Sequence, residues 1–355
     1  MAEPKKIIID TDPGIDDAMA IFVALRSPEI TVIGLTTIFG NVYTTLATRN
    51  ALHLLEVAGR SDIPVAEGSH VSYMKSTKLQ VRDFAHGMNG LGNQNFPQPK
   101  SKPIEKSASE YLVEQANLYP GEVTVVALGP LTNIALAIQL DPTFTKKIGQ
   151  IVLLGGAFAI DGNVNPAAET NIFGDPEAAD IVFTSGADVL AIGMNVTRQV
   201  IMKSKFFFFI LCSSTLVIFG QFVTHHIHDS IYAYTYNMFV DNDLTNLAKS
   251  DGIFAKYLCK ILDHYFSYHR DAYNIKGIYL HDPTALLATV NSSLMTYTEG
   301  VVRVQTTGIT RGLTLFFNKR NRFNEATEWS NKRTVKVAVT VDAPAVVKLV
   351  TERLM

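Results

Sequence analysis

The sequence predicts an α/β fold: an open, mainly parallel sheet with helices on both faces. Three observations carry that expectation. Short apolar runs alternate with stretches of helical periodicity over the first half of the chain. Several runs are continuous and apolar, such as Ile7-Ile8-Ile9 and Val123-Thr124-Val125-Val126, which suits strands covered on both faces. Polar clusters fall directly after strands, at residues 10–17, 36–41, 129–133, 155–171 and 195–197. Sheets of this kind bind ligands there, beyond the carboxyl ends of their strands.

In chain order, residues 6–9 form a buried strand that ends in acidic residues. Residues 16–26 read as a helix with Ala18, Ile21, Phe22 and Leu25 on one face. Residues 30–38 form a second strand, and 44–57 a second helix whose Leu54 and Leu55 pack inward. Residues 65–106 are rich in Gly, Asn and Pro and read largely as loop. Ser107 and Glu110 make a capping box that opens a helix running to Tyr119. A strand at 123–128 leads into a helix at 131–139, and a strand at 150–154 runs into Gly155-Gly156. Pro176 suits the first turn of a helix at 176–185, and 188–193 is a further strand.

With 355 residues, 47% of them hydrophobic, the chain can build one large α/β domain or two smaller ones, and a single domain over 1–355 is expected. The 31 basic and 33 acidic residues leave a formal charge of −2, which suggests neither a nucleic-acid nor a membrane-surface partner. Two cysteines, Cys212 and Cys259, cannot form a disulfide framework and suggest a reducing compartment. The apolar residues 7–9 are too short for a signal-peptide core, so a cytoplasmic protein is expected. The glycosylation triplets at Asn195 and Asn291 carry little weight in that setting.

The first polar cluster carries the chemistry. Asp10, Asp12, Asp16 and Asp17 put four carboxylates within eight residues, just after a buried strand. Like charges repel, and burial disfavours ionisation. A bound cation removes both costs, and a hard cation such as Ca²⁺ takes six to eight oxygen ligands. A helix start, where Asp is favoured, would explain Asp16 and Asp17 but not Asp10 and Asp12 as well.

At these residues the chain resembles the inosine–uridine-preferring nucleoside hydrolase family, most closely its plant members. The resemblance rests on the 10–17 motif, Gly40-Asn41, the 127–133 block ending in Leu131-Thr132-Asn133, Gly155-Gly156, the stretch from Asn163 through Glu169 to Asn171, and Leu280-His281-Asp282-Pro283. It covers nearly the whole chain except about forty residues after Lys205. It implies a nucleoside hydrolase-like fold, hydrolysis of the N-ribosidic bond of nucleosides in purine and pyrimidine salvage, and a homodimer. It further implies that Asp12, Asp17, Asp282 and the Leu128 carbonyl hold Ca²⁺ together with a water and two ribose hydroxyls. Asp12 would be the general base and Asn41 would orient the water. Asp16 and Asn171 would bind ribose hydroxyls, Asn163 and Glu169 would reach the 5′ side, and Asp10 would support the cluster. His281 is placed to help the base leave. His86, His269 and Tyr273 line up with base-recognition positions of pyrimidine-preferring relatives and lean towards uridine over inosine or xanthosine. A helical His or Tyr is as often a packing residue. His269 and Tyr273 are four apart, on one helix face. The Gly-rich stretch 87–92 reads as a mobile loop over the site.

The residue types suit that reaction. Breaking an N-ribosidic bond builds positive charge on the ribose, which carboxylates and amide oxygens stabilise. A water beside a metal ion loses its proton more readily, and an aspartate can take it.

The pattern fails after about residue 203. Residues 206–223 hold no charged side chain and include four consecutive Phe. Three readings compete: a transmembrane span, a buried helix, or an extra segment such as an intron translated in frame. The last is favoured, because a span there would cut one α/β domain in two. An atypical insertion at about 206–241 is therefore expected. His225, His226 and His228 inside it lack a fourth zinc ligand and are taken as incidental. Two rival functions stay open. One is an aspartyl-nucleophile phosphatase, which also places Asp-x-Asp after a strand but fits Gly14 poorly. The other is a membrane-associated or catalytically impaired form of the same fold.

Overall fold

Ile7 and Ile9 face one side of the first strand and Ile8 the other, because side chains alternate along a strand, and all three are fully buried. That local fact repeats across the molecule. The computed structural model describes residues 3–75, 79–204, 243–319 and 325–355. Among these, the strands are β1 (Lys5–Thr11), β2 (Ile30–Thr37), β3 (Val65–Glu67), β4 (Val123–Ala127), β5 (Gln150–Leu154), β6 (Val189–Ile192), β7 (Ile201–Lys203), β8 (Gly277–Tyr279), β9 (Met295–Val304), β10 (Thr314–Phe317) and β11 (Val335–Val341). Nine of them form one sheet in the order β10-β9-β11-β6-β5-β4-β1-β2-β3. Pairing is parallel from β11 through β3; β9 pairs antiparallel with both β11 and β10. Val126, Val152, Leu154 and Leu190 join Ile7 and Ile9 in one core, while Val125, Ile151, Leu153 and Val189 join Ile8 in the other. The expected α/β sheet, covered on both faces, is what forms.

The topology places the site. From β1 the chain moves outward to β2 and β3, then returns to β4 on the other side of β1. Asp10 at the end of β1 therefore pairs with Thr36 of β2 and with Ala127 of β4. Such a reversal opens a crevice at the carboxyl ends of the strands.

Two helices close that crevice. Ile253–Tyr273 buries Phe254, Leu258, Ile261, Leu262, Tyr265 and His269, spaced three or four apart on one face. Phe254 stacks on Phe22 of helix Ile15–Leu25 at 4.4 Å between centroids. Each such aliphatic or aromatic side chain contributes about 1.5–3 kcal/mol on burial. The helix ends at Asn274, whose φ of 54° is left-handed. A two-stranded antiparallel pair, β7 with β8, then delivers the chain to helix His281–Val290.

Some bounds differ from expectation. The stretch expected to be largely loop holds β3 and the one-turn helix Asp83–His86. Val65 and Ala66 pair with Leu35 and Thr36, so a three-residue edge strand hides in a Gly-, Asn- and Pro-rich composition. The helix expected at 131–139 spans Thr132–Leu140, and that at 176–185 spans Pro176–Thr184. Among the described residues no helix is long and apolar enough to cross a membrane. The atypical stretch 206–241, with Cys212 and the three histidines, lies outside the described residues. The chain on its two sides meets: Lys203 N–H donates to Asp243 Oδ2 at 3.3 Å.

Candidate active site

β1 ends at Thr11 and helix Ile15–Leu25 begins four residues later, so a tight turn carries Asp12 and the first helical turn carries Asp16 and Asp17. Glycines make the turn fit. A Cβ on Gly14 would lie 2.6 Å from His86 Nδ1, and one on Gly40 would lie 2.0 Å from Asp12 Oδ2. Polar side chains press on both backbones, leaving no room for a larger residue. Asp282 comes from the first turn of helix His281–Val290, where an acidic side chain is favoured. Carboxylate oxygens of Asp16, Asp17 and Asp282 lie within 4.8 Å of one another, and all three residues are buried.

Four of the carboxylates accept hydrogen bonds from nearby donors. Asp17 accepts the Thr11 hydroxyl at 2.5 Å, Gly14 N–H at 3.0 Å and the Asn41 side-chain amide at 2.9 Å. Asp12 Oδ2 accepts Asn41 N–H at 2.6 Å. Asp16 Oδ2 accepts the Tyr265 hydroxyl at 2.8 Å. Asp10 stands behind them, accepting Thr36 at 2.5 Å and Asn133 at 2.8 Å. Asp10 Oδ2, Asp12 Oδ1 and Asp16 Oδ1 are buried and have no hydrogen-bonding partner. Burial pushes the carboxyls of Asp10, Asp12, Asp16, Asp17 and Asp282 up, and repulsion among neighbours adds to this at Asp12, Asp16 and Asp282. Among the described residues no Lys or Arg forms an ion pair with them; His86 Nδ1 lies 3.8 Å from Asp16 Oδ1. An all-oxygen donor set, mutually repelling and with unpartnered oxygens, fits a divalent metal ion.

A cavity opens over this cluster. Asp16, Asn41, His86, Leu128, Asn163, Glu169, Asn171, His269, Tyr273, His281 and Asp282 all line it. Asp12 and Asp17 adjoin it through Asn41. The fold thus brings together residues spread from 12 to 282. Asn171 donates its amide to the Leu128 and Leu154 carbonyls at 2.7 and 3.1 Å, which leaves its Oδ1 as the acceptor. Glu169 caps the helix Thr170–Gly174 and accepts N–H groups of Gly156, Asn171 and Ile172 at 2.8–3.1 Å. Asn163 Oδ1 accepts the N–H and hydroxyl of Thr170 at 2.9 and 3.0 Å. Asn41, expected to orient a water, spends its amide on Asp17 and its backbone N–H on Asp12.

The imidazoles are fixed by backbone and hydroxyl partners. His86 Nδ1 accepts Ile15 N–H at 3.1 Å. His269 Nδ1 donates to the Tyr265 carbonyl at 2.8 Å. His281 Nδ1 lies 2.7 Å from the Thr197 hydroxyl. Burial lowers all three, His86 and His281 to about 3 and His269 to about 4, so each is neutral at pH 7. Tyr265, Tyr268 and Arg82 were not foreseen from the sequence, and Thr197 only as part of the polar cluster at 195–197. Tyr265 had a usable signal: it precedes His269 by four, on the same helix face.

The chain is similar to known nucleoside hydrolases in sequence and fold. A family model described as "Inosine-uridine preferring nucleoside hydrolase" matches residues 7–348. "Probable uridine nucleosidase 2" of Arabidopsis thaliana is 66% identical over 355 residues, covering 100% of this chain and 99% of that one. A solved plant nucleoside hydrolase superposes with a TM-score of 0.87 at 52% identity, covering 99% of each chain. A solved purine-preferring ribonucleoside hydrolase from Gardnerella vaginalis gives 0.81 at 32% identity, covering 99% of this chain and 98% of that one.

Proposed function

The chain belongs to the inosine-uridine preferring nucleoside hydrolase family, and from that premise we propose that it cuts the N-ribosidic bond of uridine with Ca²⁺ at its acidic cluster. The single observation that carries the reading is the buried cluster of Asp16, Asp17 and Asp282, with Asp12 beside it and no basic ion-pair partner among the described residues. Uridine is favoured over inosine and xanthosine on two supports: the relative of Arabidopsis thaliana is described as a "Probable uridine nucleosidase 2", and the cavity carries His86, His269 and Tyr273. The phosphatase reading has no support left.

Asp17, Asp282, Asp12 and the Leu128 carbonyl would hold the ion, and Asp16 adjoins them. Calcium, when bound, would accept ribose hydroxyl oxygens as ligands and would lower the pKa of a nearby water. The chain's own residues do the rest. Asp12 has one oxygen pinned by Asn41 and one unpartnered, so the unpartnered Oδ1 takes the proton from the attacking water. Asp16, steadied by Tyr265, offers Oδ1 to a ribose hydroxyl, and Asn171 offers its Oδ1. Asn163 and Glu169 face the 5′ side of the sugar. These oxygens also stabilise the positive charge that builds on the ribose. Neutral His281, steadied by Thr197, and neutral His86 and His269, with Tyr273, surround the leaving base. Asp10 holds Thr36 and Asn133 behind the cluster.

The test is a substrate panel on the purified chain: uridine, inosine, xanthosine and a generic phosphate ester, with free base and phosphate measured. Release of uracil faster than hypoxanthine or xanthine, and no phosphate release, is expected. Phosphate release without base release would refute the assignment.

A further inference from the structure

Among the described residues lining the cavity, one carries a permanent positive charge, Arg82, and the account above gives it no task. Its backbone is tied to the site. Arg82 N–H donates to the Asn41 carbonyl at 3.0 Å, and its own carbonyl accepts the N–H groups of Ala85 and His86 at 3.0 Å each. The guanidinium carbon lies 5.6 Å from the Phe84 ring centroid, and Phe84 contacts Tyr268 at 5.4 Å. Tyr268 hydrogen-bonds Tyr273 at 3.1 Å, and both rings touch His269. Arg82 therefore belongs to the aromatic wall that carries the residues assigned to the base.

Glu169 and Asp12 attract its charge without forming an ion pair with it. Arg82 Nε is buried with no hydrogen-bonding partner, and no described carboxylate pairs with the guanidinium. A desolvated donor left unused costs stability unless a ligand satisfies it. The other arginine at this wall, Arg198, is occupied: it donates to the Asp161 and Gly162 carbonyls at 3.2 and 3.3 Å. The imidazoles offer no full positive charge, since His86 Nδ1 accepts a backbone N–H and burial holds His269 down to about 4.

The reaction supplies the missing partner. When the bond between C1′ and the base nitrogen breaks, both electrons go to the base. In uracil the resulting negative charge spreads onto two carbonyl oxygens. Resting on the uridine reading, we infer that Arg82 is a catalytic residue whose guanidinium hydrogen-bonds a carbonyl oxygen of the departing uracil and stabilises its negative charge. Water adds to C1′ and gives a proton to Asp12; the uracil anion takes a proton from solvent and leaves neutral, and Asp12 then returns its proton to solvent. No oxidant or reductant enters. A phosphate on the 5′ side would also suit an arginine. Arg82 is attracted to Glu169, which is assigned to the 5′ side, so 5′-deoxyuridine is included to separate a 5′ role from a leaving-group role.

The test uses Arg82→Gln and Arg82→Lys in the full chain. Four substrates are compared: uridine, 5-fluorouridine, p-nitrophenyl ribofuranoside and 5′-deoxyuridine. A guanidinium aimed at the leaving group predicts a fall in kcat on uridine of about 10²-fold or more for Arg82→Gln, with KM within about threefold. The fall should shrink on 5-fluorouridine and nearly vanish on p-nitrophenyl ribofuranoside, whose leaving groups carry negative charge more readily. Arg82→Lys should fall between the wild type and Arg82→Gln. Retained cleavage of the p-nitrophenyl substrate also shows that the variants fold. On 5′-deoxyuridine the loss should match that on uridine. An equal loss on all leaving groups, or a loss that disappears on 5′-deoxyuridine, overturns the role. A wild type that cuts the p-nitrophenyl substrate but not uridine overturns the uridine reading and this role with it. If Arg82→Gln is insoluble, the same leaving-group series on Arg82→Lys decides, with the same trend expected.

Discussion

Asp12 keeps one carboxylate oxygen still and leaves the other without a partner, which is what a general base requires. Asp12→Asn retains an oxygen at the same place and loses the basic site. Uridine turnover should fall by about 10²- to 10⁴-fold with thermal unfolding little changed; a loss under tenfold would remove Asp12 from that role. Tyr265 acts through Asp16. Tyr265→Phe deletes a hydrogen bond to a buried carboxylate, worth about 1.5–3 kcal/mol, so kcat/KM on uridine should drop by roughly 10- to 150-fold. Activity within twofold of wild type would show that Asp16 needs no such support. The two residues differ in how legible they were. Asp12 sits in a local run of carboxylates that a bound cation would explain. Tyr265 meets Asp16 across 249 residues of chain, and no local pattern links them. Arg82 was hidden for the same reason.

At the scale of elements, β1, β2 and β4 were readable because buried strands are continuous apolar runs, and the acidic residues could be placed at a strand end. β3 was not, since three residues are too few to show a period. The helix Ile253–Tyr273 is where packing and recognition share one face: Leu258, Ile261 and Leu262 go to the core, and His269 and Tyr273 reach the cavity. The question of whether His269 and Tyr273 are packing residues or recognition residues thus has a structural context, since both line the cavity and touch each other at 5.7 Å. His269→Ala and Tyr273→Phe should change the ratio of uridine to inosine turnover more than they change ribose binding. Equal losses on every nucleoside would return both to packing. Leu258→Ala, deeper on the same helix, should cost about 2–5 kcal/mol in urea unfolding. An unfolding midpoint unchanged from wild type would mean that this helix is not anchored by its apolar face.

At the scale of the whole molecule, the segment at about 206–241 was conspicuous in composition, and the described residues on its two sides lie close together. Lys203 N–H and Asp243 Oδ2 are in hydrogen-bonding contact, so a short connection suffices. Loop-closure entropy changes little with length, but eighteen uncharged residues at 206–223 favour association. The variant lacking 206–241 should be more soluble and more active on uridine than the full chain. A full chain that is soluble and active beside a variant that misfolds would make the segment part of the structure.

A calcium titration decides whether the buried acidic cluster works only around a cation. The purified chain is stripped with chelator, bound calcium is counted by elemental analysis, and uracil release is followed as calcium is restored. Activity should be lost on stripping and should return in proportion to calcium, saturating near one ion per chain, with magnesium and zinc unable to replace it. Full uracil release from protein holding less than a tenth of an equivalent of calcium would contradict the account.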